Sequence, residues 1–422
     1  MNTFDTAFCP VIRSDLRTGR QYTNRKGRTL AIVQDMVFKG VSHPGYQMSP
    51  KIVQLFPYLD GKTELSKLPE LIQAKLAIQM DLDAVQKVIA GLARYDLLDT
   101  PETRQKRVSL EASFRQTPVR PPCNPSGAFY PIDPSLLKEE LQRCFLYAEE
   151  HNKKQVCSCS SFPRGFLLPH ASINSSGNTA ACALQSLIFA PLPDCYIIIG
   201  PNHIYPGPPC ATTIIHPFHT PLGEIEVDQE LTSLLEQFSE GHVVHDYISQ
   251  YHDHSIEMIL PFLQWIHSQS STAPGKAVHI VPLLLTGERH RPGLSEPESH
   301  TRIWQLIGQA IARILSSSDK RIIVIVSGDF VHRGPLFHFI PFSGTEDEDF
   351  YAWDRPLLQA IERGDAENVL EVFQATNACV GRPIYTVLKS LAGCRWHMID
   401  YHVTWAEENA VSFASFIATS EK

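Results

Sequence analysis

The sequence predicts an α/β protein: a layered, mostly parallel or mixed sheet with helices on both faces, preceded by a small α+β domain. Short apolar runs rich in β-branched residues, such as 196–199, stop at a glycine or proline, which is typical of strands buried on both faces. These runs alternate with helical patterns, among them the amphipathic stretch 303–315. Such an alternation of strands and helices favours a layered α/β fold.

The chain has 422 residues, more than usually form one hydrophobic core, which predicts two domains. Residues 1–117 form the first domain, a proline-rich linker follows at 118–125, and residues 126–422 form the second. We expect residues 121–422 to fold alone and to keep the functional site.

The first domain contains short strands within 30–38. A first helical pattern begins at Pro50, and two more cover 65–71 and 82–98. Short strands with about three helices predict a winged-helix-like domain. It resembles the small modules that hold leader peptides in peptide-modifying pathways. The alternative is a domain that only packs on the rest of the protein. DNA binding is not favoured, because no helix has the basic character of a recognition helix.

The composition is that of an ordinary globular protein, with 43% hydrophobic and 19% charged residues. A formal net charge of -8 provides no electrostatic reason to expect nucleic-acid binding. The N-terminus lacks the pattern of a secretory signal, and no apolar stretch approaches the roughly 20 residues that cross a bilayer. We therefore expect a cytoplasmic protein with no nucleic-acid or membrane partner.

The ten cysteines are scattered along the chain, unlike those of a secreted disulfide framework. Cys157 and Cys159 are spaced to chelate a soft metal, but no second pair lies close to them in the sequence. A metal role for this pair is therefore not favoured.

Ionisable residues follow three of the predicted strands. His203 follows the run 196–199, His170 follows 165–169, and Asp329 and His332 follow 321–326. Open α/β sheets place their ligand sites at the carboxyl ends of the strands. A structural role is the simpler interpretation for one such histidine. Three strands that are each followed by an ionisable residue favour a functional site.

Two further segments offer candidate site residues. His254 precedes a helix that is capped near Ser255, and Glu257 lies in its first turn, where the helix dipole favours a carboxylate. Cys379 precedes a helix that starts near Pro383. The alternatives are a helix cap with a buried histidine, and a cysteine that only begins a helix.

Seven segments carry a family resemblance: FYPIDP, LLPHASINSSG, IIIGPNHIYPG, HTPLGEIEVDQE, HDHSIEMILPF, VSGDFVHRG and NACVGRPIY. In this order they resemble the Memo family, and together they cover nearly all of 126–422. A small preceding domain resembles the arrangement in the AmmeMemoRadiSam system protein B type. That resemblance implies two partners, a radical SAM protein and a further small protein of the same system.

The Memo fold is similar to that of class III extradiol dioxygenases of the LigB type, which hold non-haem iron. The resemblance implies three metal ligands, His170, His203 and Cys379. It also implies four other site residues, Asp329, His332, His254 and Glu257. The family has a glycine directly after the cysteine, whereas Val380 stands here and the glycine is Gly381.

The roles that the resemblance implies agree in part with coordination and acid–base chemistry. Two imidazoles and a thiolate leave coordination positions open, which is typical of catalytic metal sites. These ligand types suit iron, copper or zinc and do not choose among them, while the resemblance to iron-dependent dioxygenases implies iron as the expected metal, with copper or zinc as alternatives. His332 would transfer protons with Asp329 orienting it, while His254 and Glu257 would hold the ligating imidazoles.

The leading hypothesis is a metal-dependent oxidoreductase, related to dioxygenases, that acts on a small-molecule or peptide substrate together with a radical SAM partner. One alternative is a zinc-dependent hydrolase. The other is a non-catalytic scaffold that binds a peptide or holds a metal.

Overall fold

A computed structural model describes residues 4–24, 26–40, 43–124, 126–152, 162–204, 210–287 and 297–420. The chain divides into two compact units, Met1–Gln116 and Thr117–Lys422. Cys157 and Cys159, the candidate chelating pair, lie outside the described residues. Within the described ranges, no helix combines the length and the apolar character that a membrane crossing requires.

The first unit contains a three-stranded antiparallel sheet and several helices. Its strands, in sheet order, are β1 (Arg17–Thr23), β2 (Thr29–Gln34) and β3 (Tyr46–Met48). Its helices are α1 (Met36–Lys39), α2 (Pro50–Val53), α3 (Leu68–Leu76), α4 (Leu82–Arg94) and α5 (Pro101–Gln116). Short 3-10 helices cover Phe56–Tyr58 and Leu65–Lys67. The shared core includes Val33, Leu55, Leu65, Ile89 and Leu97.

Local hydrogen bonds decide where these elements begin and end. The predicted strand within 30–38 stops early, because the Asp35 side chain accepts a hydrogen bond from the Phe38 amide (3.1 Å) and starts α1. Asp81 caps α4 in the same way, through the Ala84 amide (2.8 Å). The unit is a mixed α and β structure, and its interpretation as a winged helix stays a prediction.

The second unit is built from one large sheet and the helices beside it. Its strands are β4 (Pro163–Leu168), β5 (Cys195–Pro201), β6 (Cys210–Thr213), β7 (Phe218–Thr220), β8 (Gly223–Val227), β9 (Val243–His245), β10 (His279–Thr286), β11 (Ile322–Ser327), β12 (His332–Arg333), β13 (Cys394–Ala406) and β14 (Asn409–Ser420). Its helices are α6 (Pro134–Asn152), α7 (Ile173–Leu184), α8 (Gln229–Phe238), α9 (Tyr247–His252), α10 (Leu260–Gln269), α11 (Glu298–Ser317), α12 (Asp347–Glu362), α13 (Ala366–Phe373) and α14 (Gly381–Ser390). Short 3-10 helices cover Gln185–Leu187, Glu257–Ile259 and Pro335–Phe337.

The large sheet is mixed, with a parallel centre and antiparallel margins. Its main path runs β12-β14-β4-β11-β5-β10-β6-β9, and β13 pairs with β14. Strands β4, β11, β5 and β10 are mutually parallel along this path. β14 pairs antiparallel with β4, and β6 pairs antiparallel with β10. The predicted α/β fold with a mixed sheet is therefore confirmed at this level.

Helices cover both faces of the central strands. Along β5, Cys195, Ile197 and Ile199 join the core that contains Trp304 of α11. The intervening Tyr196 points to the other face, where its hydroxyl lies 3.0 Å from the ring of His267 in α10. Alternate residues of a strand face opposite sides of its sheet. All six residues from Cys195 to Gly200 are buried, as the continuous apolar run predicts.

The segment 117–124, most of which the sequence predicts as a linker, packs into the second unit. The Arg120 amide donates to the Pro217 carbonyl (2.8 Å), and the Arg120 carbonyl accepts from the His219 amide (2.9 Å). The guanidinium of Arg120 pairs with the carboxylate of Glu257, and neither side chain is exposed (0%). A buried pair of this kind fixes the segment, so the second unit begins before Arg120.

This boundary predicts different stabilities for two fragments. Fragment 117–422 keeps Arg120, whereas fragment 121–422 leaves the Glu257 carboxylate buried without its cation. Breaking a buried ion pair from one side costs about 3–5 kcal/mol. We therefore expect the shorter fragment to be less stable by about that amount in urea unfolding. Equal unfolding midpoints for the two fragments would contradict this assignment of the boundary.

A second buried carboxyl, Asp354 of α12, ties that helix to the β13–β14 hairpin. Its Oδ2 accepts hydrogen bonds from the Tyr401 hydroxyl (2.9 Å) and the Ser412 hydroxyl (2.5 Å). The Ser412 oxygen also accepts from the Val331 amide (3.0 Å). Burial raises the pKa of Asp354 from 3.8 to about 7, although these hydroxyl groups lower it.

The raised pKa of Asp354 predicts a pH-dependent stability. Because the folded state holds the proton more tightly, this carboxyl stabilises the fold fully below about pH 4, and that contribution is lost as the pH rises through about 7. Asp354→Asn should therefore lose less stability between pH 5 and 8 than the wild type does, as measured by urea unfolding. Glu348→Gln, an exposed position on the same helix, is the control and should follow the wild type. A parallel pH dependence of the wild type and Asp354→Asn would refute the expectation.

Candidate metal centre

The carboxyl ends of three neighbouring parallel strands bring the predicted site residues together. His170 lies two residues after the end of β4, His203 two residues after β5, and Asp329 two residues after β11. β11 lies between the other two strands. His170, His203 and Cys379 each offer one ligand atom, and these three atoms lie within 4.8 Å of one another. The geometry is the one that the strand-end pattern predicts.

Cys379 reaches this edge from the segment before α14. Its Sγ lies 3.5 Å from Nε2 of His170 and accepts a hydrogen bond from the Asp329 amide (3.1 Å). Burial raises the pKa of the thiol well above its usual range, and the nearby charge of Asp329 adds to this effect. Without a metal, Cys379 is therefore a neutral thiol.

Val380, which stands where the family pattern has glycine, fits because Gly328 faces it. A Cβ on Gly328 would lie 2.6 Å from the Val380 Cα. The Val380 side chain is fully buried in the core. The absence of a side chain on Gly328 therefore leaves room for Val380 directly after Cys379.

The hydrogen bonds of His170 determine which ring nitrogen faces the centre. Its Nδ1 lies 3.0 Å from the Ser327 hydroxyl oxygen, and that hydroxyl donates its own proton to the Ser255 carbonyl (2.5 Å). Ser327 must therefore accept from Nδ1–H, which leaves the lone pair on Nε2 beside Cys379. Burial lowers the pKa of His170 well below its usual range, and the charge of His203 lowers it further. The ring is held neutral, as a metal ligand must be.

Asp253 holds His203, a role that the sequence analysis did not assign. Its carboxylate accepts from the His203 amide (2.5 Å) and the Ser255 amide (2.8 Å), and it lies 3.3 Å from Nδ1 of His203. Burial alone would raise the pKa of Asp253, but the charge and hydrogen bonds of His203 outweigh burial and hold that pKa well below its usual range. A carboxylate that orients a ligating histidine is common in metal sites. The only sequence signal was the position of Asp253 between two histidines.

His254 belongs to a stack of rings beside the centre. Its ring centroid lies 4.9 Å from that of His203 and 5.2 Å from that of His170. On its other side Phe129 stacks at 4.8 Å with an interplanar angle of 9°. His254 therefore packs beside the rings of both predicted histidine ligands, and its supporting role stays a prediction.

Glu257 lies apart from the predicted ligands. Its carboxylate pairs with Arg120 and accepts hydrogen bonds from the Cys123 amide (2.8 Å) and the Tyr130 hydroxyl. Among the described residues, its hydrogen bonds do not reach an imidazole. Orienting the imidazoles, which the sequence analysis expected of Glu257, is done by Asp253 and by Ser327.

Asp329 and His332 lie on the remaining side of the centre. Asp329 Oδ1 accepts from the His170 amide (2.9 Å), and Oδ2 lies 3.8 Å from Nε2 of His170. His332 Nδ1 lies 2.9 Å from the Phe330 carbonyl, so the ring is held by the backbone and not by Asp329. Asp329, His332 and Cys379 also offer one ligand atom each, and these three atoms lie within 4.8 Å of one another.

Burial shifts the pKa values of Asp329 and His332 in opposite directions. Burial raises the pKa of the Asp329 carboxyl despite the charge of His332. Burial lowers the pKa of His332 despite the charge of Asp329. His332 is therefore a neutral imidazole whose Nε2 can accept a proton. Both groups are available for proton transfer next to the three-ligand set.

The donor set fits a transition metal. Two imidazole nitrogens and one thiol sulfur are the ligand types that iron, copper and zinc share. Each imidazole has its second nitrogen bonded to a fixed oxygen atom, which orients the lone pair. Three protein ligands leave positions for water or substrate.

Comparisons with known proteins identify the family of the chain. Residues 120–417 match the family model described as Memo-like protein. The chain is 32% identical over 239 residues to a MEMO1 family protein of Thermococcus onnurineus, covering 56% of this chain and 74% of that protein. It is 30% identical over 305 residues to a MEMO1 family protein of Pyrococcus furiosus, covering 69% of this chain and 96% of the relative. The resemblance to the Memo family that the sequence predicts is confirmed, and the chain belongs to that family.

Proposed function

We propose that this protein is a metal-dependent oxidoreductase whose metal is held by His170, His203 and Cys379. One observation carries the proposal: three ligand atoms of the right types lie within 4.8 Å of one another at the carboxyl edge of a parallel sheet. The fixed orientation of both imidazoles supports it. The substrate is a small molecule or a peptide segment that reaches this edge.

The proposed metal is iron, with copper or zinc as alternatives. A redox metal bound there would supply electron transfer and Lewis acidity to the substrate. The LigB-like dioxygenases, which the family resembles in fold, use two histidines and a carboxylate. Cys379 stands in the third position here, and a thiolate tunes the metal differently from a carboxylate. We therefore propose a dioxygenase-related activity and leave the oxidised substrate open.

His332 and Asp329 are the proposed proton-transfer groups. Because the Phe330 carbonyl fixes Nδ1–H of His332, Nε2 is the nitrogen that accepts a proton. Asp329 fixes the backbone of His170 through Oδ1 and leaves Oδ2 near the same ring. His254 packs against both ligating imidazoles and limits their rotation.

Metal analysis of protein purified without oxygen tests the proposal, together with oxygen uptake in the presence of catechol-like compounds. Stoichiometric iron with substrate-dependent oxygen uptake supports an oxidoreductase. Stoichiometric zinc and hydrolysis of test esters or amides would replace it with a hydrolase. If His170→Ala with His203→Ala abolishes metal binding but leaves partner binding intact, the scaffold role gains support.

We further propose that the protein works with a radical SAM protein and a further small partner protein. The support is the family resemblance together with the two-unit chain, because residues 1–119 precede the matched range. The first unit has its own core, as an independent binding module requires. Its proposed winged-helix arrangement would suit a peptide or protein partner. Co-purification of the genome-encoded radical SAM protein with the full chain, but not with fragment 117–422, would test this role.

The proposed role of Cys379 predicts a specific response to chelation. A metal ion deprotonates a coordinating thiol and occupies its lone pair, so alkylation of Cys379 should be slow in the metal-loaded protein and faster after chelation. Cys379→Ser should bind metal much more weakly, and Cys379→Asp should partly restore iron binding. Cys394→Ser, at the start of β13, is the matched control. Unchanged metal content in Cys379→Ser would make Cys379 a plain helix-start residue.

His332 separates proton transfer from metal binding. His332→Gln keeps a polar side chain but cannot accept a proton at neutral pH. We expect metal content near that of the wild type and at least a 100-fold loss of any activity found, in line with the usual contribution of about 10²–10⁴ from general acid–base catalysis. Loss of the metal from this variant would instead identify His332 as a ligand.

A further inference from the structure

Arg120 is a fully buried charged side chain of the second unit, although the sequence places it in a predicted linker. Its side chain and that of its partner Glu257 have 0% exposure. Its guanidinium carbon lies 4.7 Å from the centroid of the Phe218 ring, which covers one face. Burying a charge is costly unless it is paired and fully hydrogen-bonded. We therefore examined the hydrogen-bond partners of the guanidinium.

The guanidinium binds the backbone at the end of α9. Nε donates to the Gln250 carbonyl (2.7 Å), and Nη2 donates to the Asp253 carbonyl (2.8 Å). The last carbonyls of a helix lack partners within the helix. Nη1 completes the set with Glu257 and with the Pro121 carbonyl (3.2 Å). Arg120 thus fixes the loop that leaves α9 in one conformation.

This loop contains the residue that orients His203. Asp253 is held at its carbonyl by Arg120 and holds His203 with its carboxylate. The next residue, His254, stacks on the ring of His203 at 4.9 Å. A shift of the Asp253 backbone would therefore move both the hydrogen bond to His203 and the ring beside it.

Resting on the proposed metal centre, we propose that Arg120 is a positioning residue for His203: its guanidinium fixes the Asp253 carbonyl, and Asp253 fixes the ligand ring. A lysine cannot replace it. An arginine has five donors in a planar fork, whereas a lysine ammonium is a single point with three donors on a flexible stem. Three carbonyls and a carboxylate on different sides of the guanidinium require the fork.

Cobalt(II) binding to the full chain tests this role. Bound cobalt absorbs through a sulfur-to-metal charge-transfer band and through ligand-field bands that report the geometry of its ligands. Arg120→Lys retains a cation for Glu257 but loses the fork. We expect cobalt affinity to fall by about 10–100-fold, the usual effect of removing an outer partner of a ligand, and the ligand-field bands to shift. Far-ultraviolet circular dichroism should stay that of the wild type.

Arg13→Lys is the matched control. Arg13 is a buried arginine of the first unit whose fork binds Asp15 and Asp35. Its replacement removes a comparable buried fork outside the second unit, and the cobalt bands and affinity should remain those of the wild type. A change in this control equal to that of Arg120→Lys would overturn the inference, because the effect would then be one of general stability.

Glu257→Gln keeps the inference testable if Arg120→Lys fails to fold. It retains an acceptor for the guanidinium but removes the charge that fixes it, so a smaller loss of cobalt affinity in the same direction is expected. A wild-type spectrum and affinity in every folded variant of this pair would overturn the positioning role alone. A wild-type protein without the sulfur-to-cobalt band would overturn the proposed metal centre, and this inference with it.

Discussion

The parallel register of three strands is the constraint on which the site depends. β11 pairs with β4 so that Ser327 lies opposite Leu168, and with β5 so that Val326 lies opposite Ile199. The three strands therefore end nearly in step. Because a parallel sheet places all its carboxyl ends at one edge, the residues two positions beyond each end meet. No long-range recognition is needed to bring His170, Asp329 and His203 together once the strands have paired.

Register alone does not orient the side chains, and buried polar partners do so. The hydroxyl of Ser327, the last residue of β11, accepts a hydrogen bond from Nδ1–H of His170 and donates its own hydrogen to the Ser255 carbonyl. Asp253 accepts from His203 and is kept ionised by it. In a buried pocket each unsatisfied polar atom would be costly. This series of hydrogen bonds therefore has one favourable arrangement. In it, the ring lone pairs of His170 and His203 stay available for a metal ion.

The local features of the site could be predicted from the sequence, whereas its supporting contacts could not. Apolar runs closed by glycine or proline marked the central strands, and each carried its histidine or aspartate just beyond the end. β13 was missed, since its polar and aromatic residues, Cys394–Ala406, show no apolar run. Its pairing with β14 supplies the pattern instead. Arg120 was missed because its partner Glu257 lies 137 positions away and a proline-rich context resembles a linker.

Among the residues that the structure describes, three overlapping groups of donors lie at the centre, and their hydrogen bonds distinguish them. Asp253 uses both oxygens on the His203 and Ser255 amides, so ligation through it would cost the bonds that orient His203. We therefore expect the group His203, Asp253 and His254 to support the proposed ligands and not to bind the metal itself.

The remaining two groups share Cys379, and Asp329 distinguishes them. One Asp329 oxygen accepts a hydrogen bond from the His170 amide, and burial raises the pKa of the Asp329 carboxyl. Burial lowers the pKa of His332, and Nδ1 of His332 is committed to the Phe330 carbonyl. His170 and His203 present oriented lone pairs and Cys379 a removable proton, so the metal is expected among these three. Asp329 and His332 then lie one contact further out, where a substrate proton would be received.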